Sequence, residues 1–504
     1  MFYVRTVKTT SSAIAVQVVE YKNYKRVVVK HIGSAHNNDE LVSLKKTAYK
    51  WIDRTAKQQN LFSFEKEAHS TLVPIDKLKN LGFRYTFAYE IITKIFRLLQ
   101  FTELNNPLFL DMVLIRIVRP ASKLESLKLL SEYFGINHKR TAWYRRIAHI
   151  VSMKGVVEKK AVTVAKRNFA FDFSIVFYDV TTLYFETFGE DKDAEHAKGL
   201  RKAGFSKDNK ANQPQIVIGL IVTREGFPIA YDIFEGNTFE GKTFIPMITK
   251  FKKSYDVKTL TVVADAAMIS LANVQSLIAN DLSYIVGARI GNLKLGQIKQ
   301  ISKDLNSVDG SATRIETERG LLVCDFSLKR YKKDKREMDK QIRKAEYLIN
   351  ASAKIKRNKF LKIEGETTCV LNTDLIEKTK LLLGVRGYYT NLIDQTNDII
   401  ITHYHSLWHV EQAFRIAKSD LEMRPIYHFK KHTIEAHVLM CFMALAVCKY
   451  LELKTGRSTK AIVKLLTQVT DARLLNTITN EEFTIRSELL PEMLEVLRKL
   501  FIPH

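Results

Sequence analysis

The hydrophobic and polar positions change rhythm several times along the chain, and each change predicts a different element. Residues 1 to about 50 alternate with the period of two that buries one face of a strand, through Ala13, Ala15 and Val18 and again through Arg26-Val-Val-Val-Lys30. Turn signals at Tyr21-Lys-Asn23 and Gly33-Ser34 punctuate this stretch, which predicts a small β unit. From about 80 to 165 the spacing becomes helical, as in Ile91, Ile95 and Leu98, and a capping box, Ser122-Lys-Leu-Glu125, follows Pro120. Basic clusters, His138-Lys-Arg140 and Trp143-Tyr-Arg-Arg146, sit among these short helices.

The central block reads differently. Phe173-Ser-Ile-Val-Phe-Tyr-Asp179 is an apolar strand run that ends in a carboxylate. Gln215–Thr223 and Phe227–Phe234 are two further strands, joined by Arg224-Glu-Gly226, whose glycine permits a tight hairpin. A helix over Thr243–Ser254 is followed by Leu260-Thr-Val-Val-Ala-Asp265, a second strand ending in an acid, then a helix over Ile269–Ala279 and a strand over Tyr284–Ala288. Three strands, helix, strand, helix, strand is the ribonuclease-H-like succession, which still needs a final helix. Between about 295 and 398 the pattern breaks into a strongly charged segment and short strand-like pieces, read as an insertion before that helix. Its most distinct part begins at Lys329-Arg-Tyr-Lys-Lys-Asp-Lys-Arg336 and carries Met338, Ile342, Ala345 and Ile349 at helical spacing, so one face packs and the other is basic.

The missing helix is expected over Tyr404–Lys418. Leu407, Val410, Phe414, Ala417 and Leu421 form its core stripe, and Tyr404, Trp408, Glu411, Arg415 and Lys418 form the neighbouring one. From Thr433 to Leu453 a nearly continuous apolar helix is expected in the core, and residues 458 to 504 read as amphipathic helices. The expected organisation is a small β unit (1–60), a helical region (61–170), a catalytic core (171–294 and 399–450), an inserted α+β domain (295–398) and a C-terminal helical region (451–504).

Composition adds a partner class. With 79 Lys plus Arg against 54 Asp plus Glu, the formal charge is +25, and the pI is near 9.6. Such a surplus suits displacement of counterions from nucleic-acid phosphates. For the helical region, a DNA-reading module and a plain packing domain both remain open. The four cysteines are scattered, without the spacing of a disulfide framework or a zinc site. The N-terminal residues lack the apolar stretch of a signal peptide, and the longest apolar run, Val438–Cys448, is shorter than the ~20 residues that span a bilayer. A cytoplasmic protein without membrane association is expected.

Any one of these acids alone is more often a turn former, a helix cap or a solvated surface group. Together, Asp179, Asp265 and Glu411 place three hard oxygen donors on fixed elements, the requirement of two-metal phosphoryl transfer. Mg²⁺ prefers oxygen, so the nearby His403, His405 and His409, which point to different faces, are not assigned as ligands.

The chain resembles the DDE transposases of bacterial insertion sequences, in the subgroup with a Tyr-(2)-Arg-(3)-Glu-(6)-Lys signature. Tyr404, Glu411 and Lys418 fall on that spacing, with Leu407 in place of the arginine. The resemblance extends to Tyr178-Asp-Val-Thr-Thr182, Gly204-Phe-Ser-Lys-Asp208, Asp265-Ala-Ala-Met268, Tyr284-Ile-Val-Gly-Ala-Arg289 and Arg424-Pro-Ile-Tyr-His428. It implies catalytic, metal-holding roles for Asp179, Asp265 and Glu411 with two Mg²⁺ ions or substituting Mn²⁺. Tyr404, Arg415 and Lys418 share the helix face of Glu411 and are expected to contact DNA phosphates near the cut, and the resemblance implies double-stranded DNA at element ends and target as partner, a homodimer or larger assembly on DNA, and location at the bacterial nucleoid. Members with the insertion pass through hairpin-ended DNA in which a flipped base stacks on an aromatic. Trp51, Trp143 and Trp408 all lie outside the insertion, which offers Tyr331, Tyr347 and Phe360. A non-cutting, transposase-derived DNA-binding protein and a related metal-dependent nuclease are the alternative readings.

Overall fold

Strand alternation builds the first of two units, Met1–Asp76 and Lys77–His504, each described by itself. In the computed structural model residues 2–501 are described, except 10–12, 23–24, 57–74, 193–198, 209, 211, 269, 351–357 and 365–367. Asn23 of the first expected turn and Ile269 of an expected helix lie outside the described residues. In the first unit β1 (Phe2–Lys8), β2 (Ile14–Lys22) and β3 (Lys25–Ala35) form an antiparallel sheet. Val16 and Val18 of β2 are buried with Ala48 of α1 (Asn38–Ala56). Strand structure therefore stops earlier than residue 50. Leu41, Leu44, Ala48 and Ile52 recur at helical steps, and Asp39 and Glu40 complement the helix dipole in the first turn.

The second unit opens with β4 (Leu78–Arg84) and the helices α2 (Thr86–Leu98), α3 (Pro107–Val118), α4 (Lys123–Phe134), α5 (Arg140–Ser152) and α6 (Lys154–Phe169). Ser122 caps α4, its hydroxyl accepting from the Glu125 amide at 3.3 Å. The sheet that follows contains β5 (Ile175–Tyr184), β6 (Gln215–Val222) and β7 (Pro228–Glu235), then α7 (Glu240–Ser254), β8 (Thr261–Ala264), α8 (Leu271–Ala279) and β9 (Ser283–Gly287). β5, β6 and β7 pair antiparallel, whereas β8 is parallel to β5 and β9 to β8. Gly226, at φ 84°, turns the β6–β7 hairpin.

The stretch read as an insertion contributes to this sheet. It comprises α9 (Leu295–Leu305), β10 (Ala312–Thr317), β11 (Gly320–Phe326), α10 (Leu328–Asn350), the hairpin β12 (Leu361–Glu364) and β13 (Thr368–Leu371), α11 (Thr373–Lys380) and β14 (Val385–Thr390). β14, β11 and β10 extend the sheet beyond β9 to the order β10-β11-β14-β9-β8-β5-β6-β7. Met338 and Ala345 of the basic helix α10 enter a separate small core with Phe360, Ile376 and Leu383.

The chain then forms α12 (Asn397–His405), α13 (Trp408–Arg415), a π turn over Ile416–Asp420 and α14 (Lys431–Thr455). The helix expected over Tyr404–Lys418 is interrupted at Ser406 and Leu407, because the His409 and Val410 amides bond to carbonyls three residues back, at 3.1 Å each. α14 is long and apolar enough to cross a membrane, yet 94% of its most apolar stretch is buried inside the protein. After α15 (Thr459–Gln468), the expected run of amphipathic helices contains instead a hairpin of β15 (Asp471–Asn476) and β16 (Glu481–Arg486), before α16 (Pro491–Phe501). β15 pairs with β4, and Asn480 at φ 55° helps reverse the chain; the partner strand lies nearly 400 residues earlier, beyond reach of a local pattern.

Candidate active site

The parallel pairing of β5 and β8 brings two acids together. Tyr178 is the register partner of Ala264, so Asp179 and Asp265 are the next residues on adjacent strands. Asp265 follows the last residue of β8 as expected, but Asp179 lies in mid-strand, because β5 continues to Tyr184 through its pairing with β6. Side chains alternate across a strand. Tyr178 faces α7, its hydroxyl 2.7 Å from Thr243 Oγ1. Asp179 takes the opposite face with its register partner Leu220, which meets Phe414 of α13 at a small apolar cavity. That face is the one α13 covers, and α13 carries Glu411.

Burial pushes the Asp179 carboxyl up to about 7, with Asp265 and Glu240 adding to the rise and Lys207 and the Val180 amide opposing it. Lys207 comes from the loop between β5 and β6. Its ammonium donates to the Val180 carbonyl at 2.6 Å and pairs with Glu240 at 2.8 Å, while its amide donates to Thr182 Oγ1 at 3.2 Å. Asp208, next in the chain, pairs with Arg424 and with Lys418 at 3.5 Å. The loop is thus fastened on both sides of Asp179. Lys418 is 11% exposed and engaged by Asp208, whereas Arg415 is exposed without a polar partner among the described residues.

A cleft of about 580 Å³ opens at Asp265, and its lining includes Glu411, Tyr404, Arg289, Arg330 and Arg386. Burial raises the Tyr404 hydroxyl to about 12, with Asp265 and Glu411 adding to the rise and Arg386 and Arg330 opposing it. The ring lies 4.5 Å from that of Tyr388, and the hydroxyl occupies space that a side chain at Gly287 would need. Trp408 is 51% exposed at the cleft, with His409 stacked on it at 3.9 Å. His405 also borders the cleft, while His403 lines a different cavity. Of the insertion aromatics, Phe360 is fully buried, Tyr331 packs against Phe326, and Tyr347 is 69% exposed.

Carboxylate oxygens are the donors a hard divalent cation takes, and burial beside Asp265 disfavours the charged form of Asp179, which a cation would compensate. The adjacent pair Asp179 and Asp265 is the part of the expected set that fits such an ion. Glu411 borders the cleft with Asp265, and among the described residues no three His, Cys, Asp or Glu side chains converge as a metal-holding group. Sequence reasoning did not single out Lys207 or Arg386. The Gly204–Asp208 motif pointed toward Lys207, whereas nothing local marks Arg386.

An open mixed sheet of eight strands, in which the parallel neighbours β8 and β5 set two acids side by side, defines the class as an α/β domain. A family model described as the transposase DDE domain matches residues 170–447, more than half of the chain, and the chain belongs to this family. DDE transposase domains depend on a divalent metal. No curated protein matches the chain. Among solved structures, it is similar to the piggyBac transposase synaptic complex with hairpin DNA at 9% identity and TM-score 0.34, covering 63% of this chain and 58% of that one. It is also similar to the Mos1 transposase paired-end complex with the left transposon end, at 13% identity and TM-score 0.16, covering 47% of this chain and 66% of that one.

Proposed function

We propose that this chain is a DNA transposase that cleaves the terminal inverted repeats of its element and joins the freed 3′ ends to target DNA by two-metal phosphoryl transfer. The observation that carries this reading is the placement of Asp179 and Asp265 on adjacent parallel strands, with Glu411 lining the cleft that Asp265 enters. Two Mg²⁺ ions, or Mn²⁺ in their place, would activate the attacking oxygen and stabilise the leaving one. Asp179, Asp265 and Glu411 hold the ions in this reading. Lys207 favours the ionised form of Asp179 and fixes the loop beside it. Tyr404 and Arg415 meet DNA phosphates near the cut, and Lys418 reaches phosphate only by sharing Asp208 with Arg424.

In the same reading the chain is a bacterial insertion-sequence transposase of the Tyr-Arg-Glu-Lys subgroup, acting as a dimer or larger assembly on DNA. Residues 61–170 grip element ends, 171–294 with 399–450 form the catalytic core, and 295–398 form the insertion. The test incubates the purified chain with a plasmid carrying the reading frame and its flanking DNA, a target plasmid and Mg²⁺. Excision at both flanks and covalent joining of the 3′ ends to the target are expected, and EDTA abolishes both. Cutting without joined products would make the chain a nuclease; binding without cutting would make it a non-catalytic descendant.

A further inference from the structure

The cleft that Asp265 and Glu411 line also has three cations in its lining, from three separate elements. Arg330 lies in the first turn of α10, Arg386 on β14 and Arg289 just after β9. Arg330 and Arg386 are half-buried, and Arg289 is exposed at the rim. None of the three guanidinium groups has a hydrogen bond or a salt bridge among the described residues. The nearest acids are already engaged, since Asp325 accepts from the Tyr388 hydroxyl at 2.7 Å and Asp334 from the Gly384 amide at 3.3 Å. Burial and the charge of Arg386 pull the Arg330 pKa down, with Asp334, Tyr388 and Asp325 acting against that. Two like charges therefore converge on one space from different parts of the fold without a bound counter-charge.

An arginine left over from packing would turn outward and be solvated, whereas these two are half-buried in the lining of a cleft whose size suits a nucleotide. A guanidinium presents a planar fork of donors that matches phosphate oxygens. Leu407 lines the same cleft and brings no charge to it from the α13 side. We infer that Arg330 and Arg386, with Arg289 at the rim, form a clamp for DNA backbone phosphate next to the scissile bond, in the cleft that Asp265 and Glu411 also line. The inference rests on the proposed reaction for its substrate, a DNA strand, but assigns a binding role to residues outside the acid set.

The test is fluorescence anisotropy of the full chain with a labelled duplex from the flank of the reading frame, in EDTA, over a series of salt concentrations. Removing one cation that pairs with a DNA phosphate lowers the slope of log affinity against log salt by about 0.9. Arg330→Gln with Arg386→Gln should therefore lower the slope by nearly twice that amount, while Arg330→Lys with Arg386→Lys keeps it close to wild type. The lysine pair preserves charge and guards against a variant that fails to fold. An unchanged slope in the glutamine pair, or an equal drop in the lysine pair, overturns the clamp. Because the assay reads binding without chemistry, wild-type binding with no cutting in Mg²⁺ would remove the proposed reaction and still leave the clamp measurable.

Discussion

A side chain at position 287 would collide with the Tyr404 hydroxyl and approach the Ala266 backbone nitrogen to 3.1 Å. Gly287→Ala is therefore expected to lower stability by about 1–3 kcal/mol, as overpacking does, and to displace Tyr404 within the cleft that Asp265 and Glu411 line. Denaturant unfolding together with the end-cleavage rate checks this, and a variant that melts and cuts like wild type would contradict it. At this scale the acids were legible and the cations were not. Asp265 follows an apolar run that could only be a buried strand, and Asp179 sits in another, although that strand continues past it. Arg386 is a single charge in Val385–Thr390, and its meeting with Arg330 depends on the pairing of β14 with both β9 and β11. No local spacing encodes that meeting.

The packing of α3, α4 and α14 buries a cluster of basic groups, and among the described residues no carboxylate pairs with Lys123 there. Lys123 of α4 lies 3.1 Å from His437 Nδ1, with Arg116 of α3 and Cys441 of α14 nearby. Burial, then the charge of Arg116, holds the Lys123 pKa well below its usual value. A lysine with a depressed folded pKa binds its proton more readily unfolded, so stability rises with pH between the folded and unfolded values. His437 and His428, both lowered by burial, act at more acidic pH, and the raised Cys441 thiol acts at more alkaline pH. Lys123 should therefore contribute a rise in unfolding stability as pH climbs toward its unfolded value, by up to about 1.4 kcal/mol per pH unit for its one proton, against the fall that the raised Asp179 carboxyl contributes up to about pH 7. Lys123→Met should flatten that rise, as followed by urea unfolding at several pH values; a slope unchanged by the substitution would contradict the assignment. The elements themselves were largely legible where apolar periodicity was long, as in α14. They were illegible where pairing is distant, as in β15 with β4, or where a helix tightens, as at Ser406 and Leu407.

Across the whole molecule, a formal charge of +25 accompanies a sheet on which two adjacent strands each carry an acid. Charge alone pointed to a polyanion, and the element order pointed to an acid-bearing sheet, but neither predicted that the stretch 295–398 lends three strands to that sheet. Through β14 and α10 this stretch supplies two arginines to the cleft that Asp265 and Glu411 line, so the cleft is completed by residues far from either aspartate in sequence. The account stands on the three carboxylates acting together. The most direct measurement compares end cleavage in Mg²⁺ by the wild-type chain with Asp179→Asn, Asp265→Asn and Glu411→Gln, each first shown to bind the same end DNA. The account predicts retained binding and cleavage reduced by at least about a thousandfold in all three, the scale on which losing a preorganised catalytic group acts. Cleavage at the wild-type rate in any one of them would contradict it.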